Sequence, residues 1–265
     1  MTTPQVSDWI APLFVPATRP DRFGKAVESA HGQVIIDLED AVGPADKANA
    51  RHALRTSEHR GFILRINGAR TKWHGDDLDC AGTLSLAGIM LAKAESPEAV
   101  AALHEQLPAT PIVLLIESAL GISRIFELAA AEGVVRIAFG SLDFAADVGC
   151  AHTHDALLFA RSQIVLASRA ADLAPPWDGV TPDIDEDKTR GDAHAAAQLG
   201  FGGKLCIHPK QVAAVLQGFR PNADAIAWAR RVVIAERDGA VMVDKAMVDA
   251  PVRMRAMRIL KLAGE

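Results

Sequence analysis

The sequence predicts a (β/α)8 TIM barrel followed by a small C-terminal helical lid segment. Three observations predict it. Eight short apolar runs recur along the chain, most of them near-continuous rather than alternating, as parallel strands covered on both faces require. Helical patterns separate the runs, giving a βα rhythm. The length of 265 residues, with 49% hydrophobic content, suits a barrel that runs to roughly 250 residues as a single domain. An open doubly wound sheet is the second reading of the same rhythm.

The expected strands are 11–17, 33–38, 62–67, 88–93, 111–118, 134–141, 177–182 and 204–208, the seventh being the weakest pattern. Helices are expected at 21–30, after Arg19-Pro20, and at 44–55, with Pro44 in a first turn. The helix over 96–106 has Ser96 as its cap, Pro97 next and Glu98 in the first turn. Stretches 122–132, 155–171 and 192–199 continue the alternation, and 211–217 reads as the last barrel helix. The division into domains follows: a catalytic barrel over 1–220 and a helical lid or oligomerisation segment over 221–265. In that segment Asn222 can cap a helix over 223–237, Asp238-Gly239 ends it, 241–250 is a connector, and 251–262 is a basic helix. Such a cap can cover its own barrel mouth or a neighbour's.

Composition excludes several classes. A net charge of −5 with no basic run argues against a nucleic-acid-binding chain. The three cysteines, Cys80, Cys150 and Cys206, are widely spaced and fit no zinc pattern, so a reduced cytoplasmic setting is the simplest. Residues 1–10 lack the basic start and apolar core of a signal peptide, and no apolar stretch is long enough to span a bilayer.

The function is carried by charges at the ends of apolar runs. FILRIN carries Arg65, PIVLLIES carries Glu117, and VVRIAFGSLDF carries Asp143. A charge in such a place is costly to bury and seldom serves packing. In a barrel, strand C-termini converge on the active face. Glu117 and Asp143 end neighbouring strands, and two carboxylates with open coordination positions suit Mg²⁺, with Mn²⁺ as an alternative. The plainer reading is that each acid caps the following helix. Arg65 shares strand parity with Ile63 and Asn67, and its planar fork suits a carboxylate or an enolate oxygen. Its plainer role is a buried ion pair with Asp37, Glu39 or Asp40, and the two roles are compatible. Glu39 and Asp40 are candidates to hold metal-bound water, or else to cap the loop. Lys93, ending GIMLAK, raises a Schiff-base aldolase. That mechanism has no need of paired metal carboxylates, so a salt bridge or a thioester-side contact is preferred. His208 before Pro209 reads as structural, Gly200–Gly203 is a weak phosphate-loop signal, and Asp249 before Pro251 reads locally as a helix cap.

The stretches LFVPATRPDRFGKA, VIIDLEDAVGPADKANAR, LRING with Trp73 downstream, LIESALGI, IAFGSLDF, LGFGGKLCIHPKQV and MVDAPV run in order from residue 13 to 252. Together they make the chain resemble the citrate lyase beta-subunit family, within the HpcH/HpaI aldolase group that also holds malyl-CoA and citramalyl-CoA lyases. The resemblance implies a barrel that binds Mg²⁺ and cleaves or forms a C–C bond next to a thioester. The substrate is then a CoA or acyl-carrier-protein thioester, and the products an oxo acid and acetyl-CoA. By the same resemblance Glu117 and Asp143 are the metal ligands, with Glu117 also beside the substrate. Arg65 binds the oxo acid or steadies the enolate, and Glu39 and Asp40 match the DLED element beside the metal. Asp249 matches a lid carboxylate that acts on the acetyl carbon, often from a neighbouring subunit, which implies a homo-oligomer, commonly a trimer or hexamer. The chain departs from the family's pattern at Ala11-Pro12, Ala17 and Ala92, which bears on the thioester contacts and the natural substrate. Alternatives are a metal-dependent aldolase on free oxo acids, a malyl-CoA thioesterase, and a non-catalytic subunit of a lyase complex.

Overall fold

The structure, a computed structural model, describes residues 5–237, 242–244 and 246–264. It divides into two compact units, one through Leu216 and one from Gln217 onward.

In the first unit, strand and helix alternate as β1 (Leu13–Pro16), α1 (Phe23–Ser29), β2 (Val34–Asp37), α2 (Lys47–Thr56), β3 (Ile63–Ile66), α3 (His74–Ala81), β4 (Gly88–Leu91) and α4 (Pro97–Gln106). They continue as β5 (Ile112–Ile116), α5 (Ala119–Ser123), α6 (Ile125–Ala129), β6 (Val134–Phe139), α7 (Ser141–Val148), α8 (His154–Ala170), β7 (Ala174–Asp178), α9 (Glu186–Leu199), β8 (Gly203–Lys204) and α10 (Pro209–Phe219). The strands form one parallel sheet in the order of the sequence. The ends of the sheet meet. Lys204 N–H donates to Ile10 O at 2.8 Å, Cys206 N–H to Pro12 O at 2.9 Å, and Phe14 N–H to Cys206 O at 2.9 Å. This closes the barrel, so β1 and β8 are not left as open edges.

The residues that fill the barrel come from alternate strand positions. Ile35, Ile63, Met90, Val113, Leu115, Ala138 and Trp177 pack in one cluster with Val6, Trp9 and Leu205. The segment before β1 is tied to this core by polar bonds. Trp177 Nε1 donates to Trp9 O at 2.7 Å, and the buried Arg136 donates to Val6 O and Trp9 O while lying 4.5 Å from the Trp177 ring. The same parity, carried two residues further, leads from Ile35 to Asp37, from Ile63 to Arg65, and from Val113 through Leu115 to Glu117. The apolar filling thus gives way to charge at the C-terminal rim.

Several boundaries differ from expectation, each for a local reason. The seventh strand lies at Ala174–Asp178 rather than 177–182. Its Pro175 and Pro176 hide it, since they cannot donate; their carbonyls accept, Pro176 O from Gly202 N–H at 2.9 Å and Pro175 O from the Arg136 side chain, Nε, at 2.7 Å. Pro44 sits in a turn, closed by Asp46 N–H to Gly43 O at 2.9 Å, and α2 starts only at Lys47. The helix expected over 122–132 is two short ones that meet at Arg124. The helix expected at 192–199 is the end of α9, which Asp185 caps by accepting Lys188 N–H at 2.7 Å. Helices α3 and α7 were not expected. Asp143 therefore stands in the first turn of α7, not on a strand.

The second unit holds α11 (Ala223–Arg237), a two-residue hairpin of β9 (Met242–Val243) and β10 (Ala246–Met247), and α12 (Ala250–Ala263). Asn222 accepts Ala225 N–H at 2.8 Å, so it caps α11. The helix stop expected at Asp238-Gly239 lies outside the described residues. Ala229, Val232 and Ala256 form a small core of their own, and Arg255 lies 5.0 Å from the Trp228 ring. No helix among the described residues is long and apolar enough to cross a membrane.

Candidate active site

Arg65, Glu117, Glu39 and Lys93 are brought together at the C-terminal rim of β2 to β5. Arg65 grips Asp37 with both arms of its fork, Nε to Oδ1 at 2.7 Å and Nη2 to Oδ2 at 2.6 Å. Its third nitrogen reaches Glu39 Oε2 at 3.1 Å, and the guanidinium lies 4.7 Å from the Phe14 ring. Asp37 is 1% exposed, and its two oxygens also accept Glu39 N–H at 2.8 Å and Ala41 N–H at 2.9 Å. Burial alone would raise its pKa, but the Arg65 charge and these hydrogen bonds hold the Asp37 carboxyl below the usual range. The anions in turn raise Arg65. The ion pair expected for Arg65 is thus present, and it fixes the guanidinium rather than consuming it.

Glu39 is buried, and Lys93 Nζ reaches its Oε1 at 3.0 Å. Burial and the neighbouring Asp40 charge raise its pKa against the pull of Arg65 and Lys93. Asp40 itself is exposed, and its N–H donates to Glu39 Oε2 at 3.2 Å. Lys93 follows β4 in a left-handed conformation, φ 49°, that residues with a Cβ seldom adopt. This turn aims the Lys93 N–H at Glu117 Oε1, 2.7 Å away.

Glu117 is 2% exposed, and its other oxygen, Oε2, is buried with no hydrogen-bond partner among the described residues. Its pKa is pushed up to about 8, first by burial, then by the charges of Glu39 and Asp143. Asp143, half-buried on α7, is thus near enough to act on it. Gly140, just before α7, leaves the space around Glu117 open: a Cβ there would lie 2.6 Å from Oε2. A buried carboxyl oxygen without a partner among the described residues, beside a second carboxylate, is a costly arrangement. A divalent cation resolves it, since it takes oxygen ligands and restores the charged form. The donor set therefore fits Mg²⁺.

The other expected residues have local roles. Asp249 precedes α12 in the second unit, exposed, and caps that helix by accepting Val252 N–H at 3.0 Å. His208 makes a local turn, its Nδ1 accepting Lys210 N–H at 3.2 Å. In Gly200–Gly203 the glycines serve close packing: a Cβ on Gly203 would lie 2.7 Å from Trp177 Cδ1, and one on Gly202 2.7 Å from Pro175 Cβ. Two cavities open at the strand ends. One of about 520 Å³ is bordered by Ser141, His152, Arg161, Asp178 and Lys204. One of about 240 Å³ is bordered by Lys93, Arg70, Glu95 and Arg124.

Sequence reasoning passed over the buried polar web behind Glu39. Lys47 Nζ donates to Leu38 O at 2.8 Å, Glu39 O at 3.0 Å and Asn67 Oδ1 at 2.7 Å. Asn67, one residue past the end of β3, also bonds Asp77, which Arg51 holds at 2.9 Å. The one available signal was the spacing of Lys47 and Arg51, four apart on one helix face. That signal does not separate buried cations from solvated ones.

A closed barrel with this acidic and basic rim defines a class, and the chain belongs to the HpcH/HpaI aldolase/citrate lyase family, matched over residues 11–209. A citrate lyase subunit beta-like protein of Mycobacterium tuberculosis (strain ATCC 25618 / H37Rv) is 37% identical over 96% of this chain and 95% of its own. An L-malyl-CoA/beta-methylmalyl-CoA lyase of Rhodobacter capsulatus is 33% identical over 84% of this chain and 82% of its own. Among solved structures, the protein CitE from Mycobacterium tuberculosis in complex with magnesium, acetoacetate and coenzyme A superposes with a TM-score of 0.89. It is 35% identical and covers 97% of this chain and 98% of the other.

Proposed function

We propose that this chain is a Mg²⁺-dependent carbon–carbon lyase. It cleaves, or in reverse forms, a β-hydroxyacyl thioester such as citryl-, malyl- or citramalyl-CoA, giving an oxo acid and acetyl-CoA. The observation that carries the reading is the buried Glu117 Oε2, without a hydrogen-bond partner among the described residues, beside Asp143 and Arg65. The lyases among the relatives, and the magnesium, acetoacetate and coenzyme A named with the structural neighbour, support it.

Glu117 and Asp143 would hold the cation, with Mn²⁺ as a substitute. When bound, the cation supplies Lewis acidity: it lowers the pKa of the substrate hydroxyl and polarises the carbonyl that forms. Arg65, already fixed by Asp37 and Glu39, needs no reorganisation to stabilise the oxygen on which charge develops. In cleavage the hydroxyl would give up its proton to a solvent water, and the oxygen becomes a carbonyl. The bond between the carbinol carbon and the thioester α-carbon breaks, and its electron pair leaves with the α-carbon as a thioester enolate. Asp249 would return a proton to that carbon, and would remove it in the condensation direction. If the acid acts from a second copy of the chain, the working form is a homo-oligomer.

The test is to incubate the purified chain with Mg²⁺ and malyl-, citryl- or citramalyl-CoA, and to assay acetyl-CoA and the oxo acid. Stoichiometric appearance of both, abolished by EDTA, is expected. Free CoA without acetyl-CoA would point instead to a thioesterase, a reading favoured by a (3S)-malyl-CoA thioesterase of Cereibacter sphaeroides (strain ATCC 17025 / ATH 2.4.3) that is 31% identical to this chain.

A further inference from the structure

Glu39 sits in the site because its main chain is held from both sides. Its N–H donates to Asp37 Oδ1 at 2.8 Å, and its carbonyl accepts Lys47 Nζ at 3.0 Å. The preceding carbonyl, of Leu38, accepts both Lys47 Nζ at 2.8 Å and Asn67 Nδ2 at 3.0 Å. The lysine is 4% exposed and spends its three protons on three acceptors, so none is left for solvent. Its ammonium also lies 4.7 Å from the ring of Trp73, the residue just before α3, which closes the amine in from the side.

This is an unusual place for an amine. Burial lowers the Lys47 pKa, and Asp77, Glu39, Asp37 and Asp40 oppose the loss of charge. No carboxylate oxygen is among the three acceptors. A lysine retained only for stability could be replaced by an apolar residue of similar volume. What the amine does instead is bind the two peptide carbonyls that flank the Cα of Glu39. From there Glu39 reaches Arg65 at 3.1 Å and Lys93 at 3.0 Å, and it acts electrostatically on Glu117.

We propose that Lys47 is a positioning residue of the metal site. Its clamp on the Leu38 and Glu39 carbonyls sets the Glu39 carboxylate against Arg65 and Lys93, and through it the negative field at the Glu117–Asp143 pair. The inference rests on the proposed cation site and adds to it a buried lysine that touches neither substrate nor cation. It also assigns a purpose to the bonds with Asn67: Asn67, in turn bonded to Asp77, holds the amine's third proton.

A double-mutant cycle on the full chain tests this, with Mg²⁺ affinity read by titration calorimetry and thermal stability read in parallel. Lys47→Met and Glu39→Gln are each expected to weaken Mg²⁺ by about tenfold, as losses behind a ligand shell usually do. The double variant is expected to be no weaker than Glu39→Gln alone, because Lys47 works through Glu39. A purely structural role would lower the melting temperature and leave Mg²⁺ affinity unchanged. That result, or losses that multiply in the double variant, overturns the proposal. If Lys47→Met does not fold, Lys47→Gln, which keeps two N–H donors but no charge, takes its place in the same cycle. A wild-type chain that binds no Mg²⁺ overturns the cation site along with it, whereas wild-type binding with independent losses overturns the role of Lys47 alone.

Discussion

Glu117 accepts the backbone N–H of Lys93 on one carboxylate oxygen, at 2.7 Å, while its other oxygen is buried and receives nothing from the described residues. The left-handed turn at Lys93 makes the first half of this relationship, and the missing side chain of Gly140 makes room for the second. Glu117→Gln would keep the shape and remove the charge. Lyase activity is expected to fall by about a hundredfold or more, the scale of a metal ligand worth several kcal/mol. The metal-free protein is expected to gain stability at neutral pH, since the cost of burying a carboxyl that is ionised in the unfolded chain has gone. Activity assays and thermal melts without metal check both.

The same group sets a pH dependence. Its folded pKa of about 8 stands above the ordinary 4.5. A carboxyl raised on folding contributes stability that is fully present below the unfolded value and is lost as pH rises through the folded one. Melting temperature without metal should therefore decline between pH about 4.5 and about 8 through this group. Cation binding needs the ionised form, so the Mg²⁺-induced rise in melting temperature should grow over the same interval and then level off. A rise that stays flat across this window contradicts the assignment.

Gly140→Ala places a methyl group 2.6 Å from Glu117 Oε2. Glu117 must move, so Mg²⁺ affinity is expected to drop by at least tenfold, the scale of a disturbed ligand geometry. Melting without metal should change far less than the binding does. Calorimetric titration of the variant measures it.

Asp37→Asn breaks the two-armed pair with Arg65. Removing one partner of a buried pair costs up to about 3–5 kcal/mol, and Glu39, still 3.1 Å from the guanidinium, keeps the loss toward the lower end. Urea unfolding should show that loss. The KM for the oxo acid in the condensation direction should rise, because Arg65 keeps only its single contact with Glu39 and loses the two-armed grip that orients it.

Asp249 has two roles to separate. Asparagine caps a helix about as well as aspartate, whereas alanine loses about 1 kcal/mol. Asp249→Asn is expected to keep the melting temperature and to lose lyase turnover and exchange of the acetyl α-protons. Asp249→Ala should lose both stability and turnover. If Asp249→Asn retains wild-type exchange, the residue is a cap and nothing more.

Much of the barrel was legible because parallel strands buried on both faces must be continuously apolar, and VIID, FILRIN and PIVLLIES leave few other readings. The charges were legible for a related reason: strand parity carries Ile63 to Arg65 and Leu115 to Glu117, so a charge in that phase ends a column of core residues. Three things were not. The seventh strand is masked by Pro175 and Pro176, which join a ladder only as acceptors. Asp143 belongs to a short helix that follows β6 after one glycine, with no cap residue to announce it. Lys47 stands at the start of an ordinary amphipathic helix, and only the tertiary fold brings two carbonyls and an amide to its amine.

The central claim is that Glu117 and Asp143 hold one divalent cation. Crystals grown with Mn²⁺ and measured for anomalous scattering test it most directly. The account predicts a single strong peak within about 2.3 Å of Glu117 Oε2 and of an Asp143 oxygen, a coordination distance for a hard divalent ion. A map with no peak there, with Glu117 Oε2 instead hydrogen-bonded to protein or water, would contradict it.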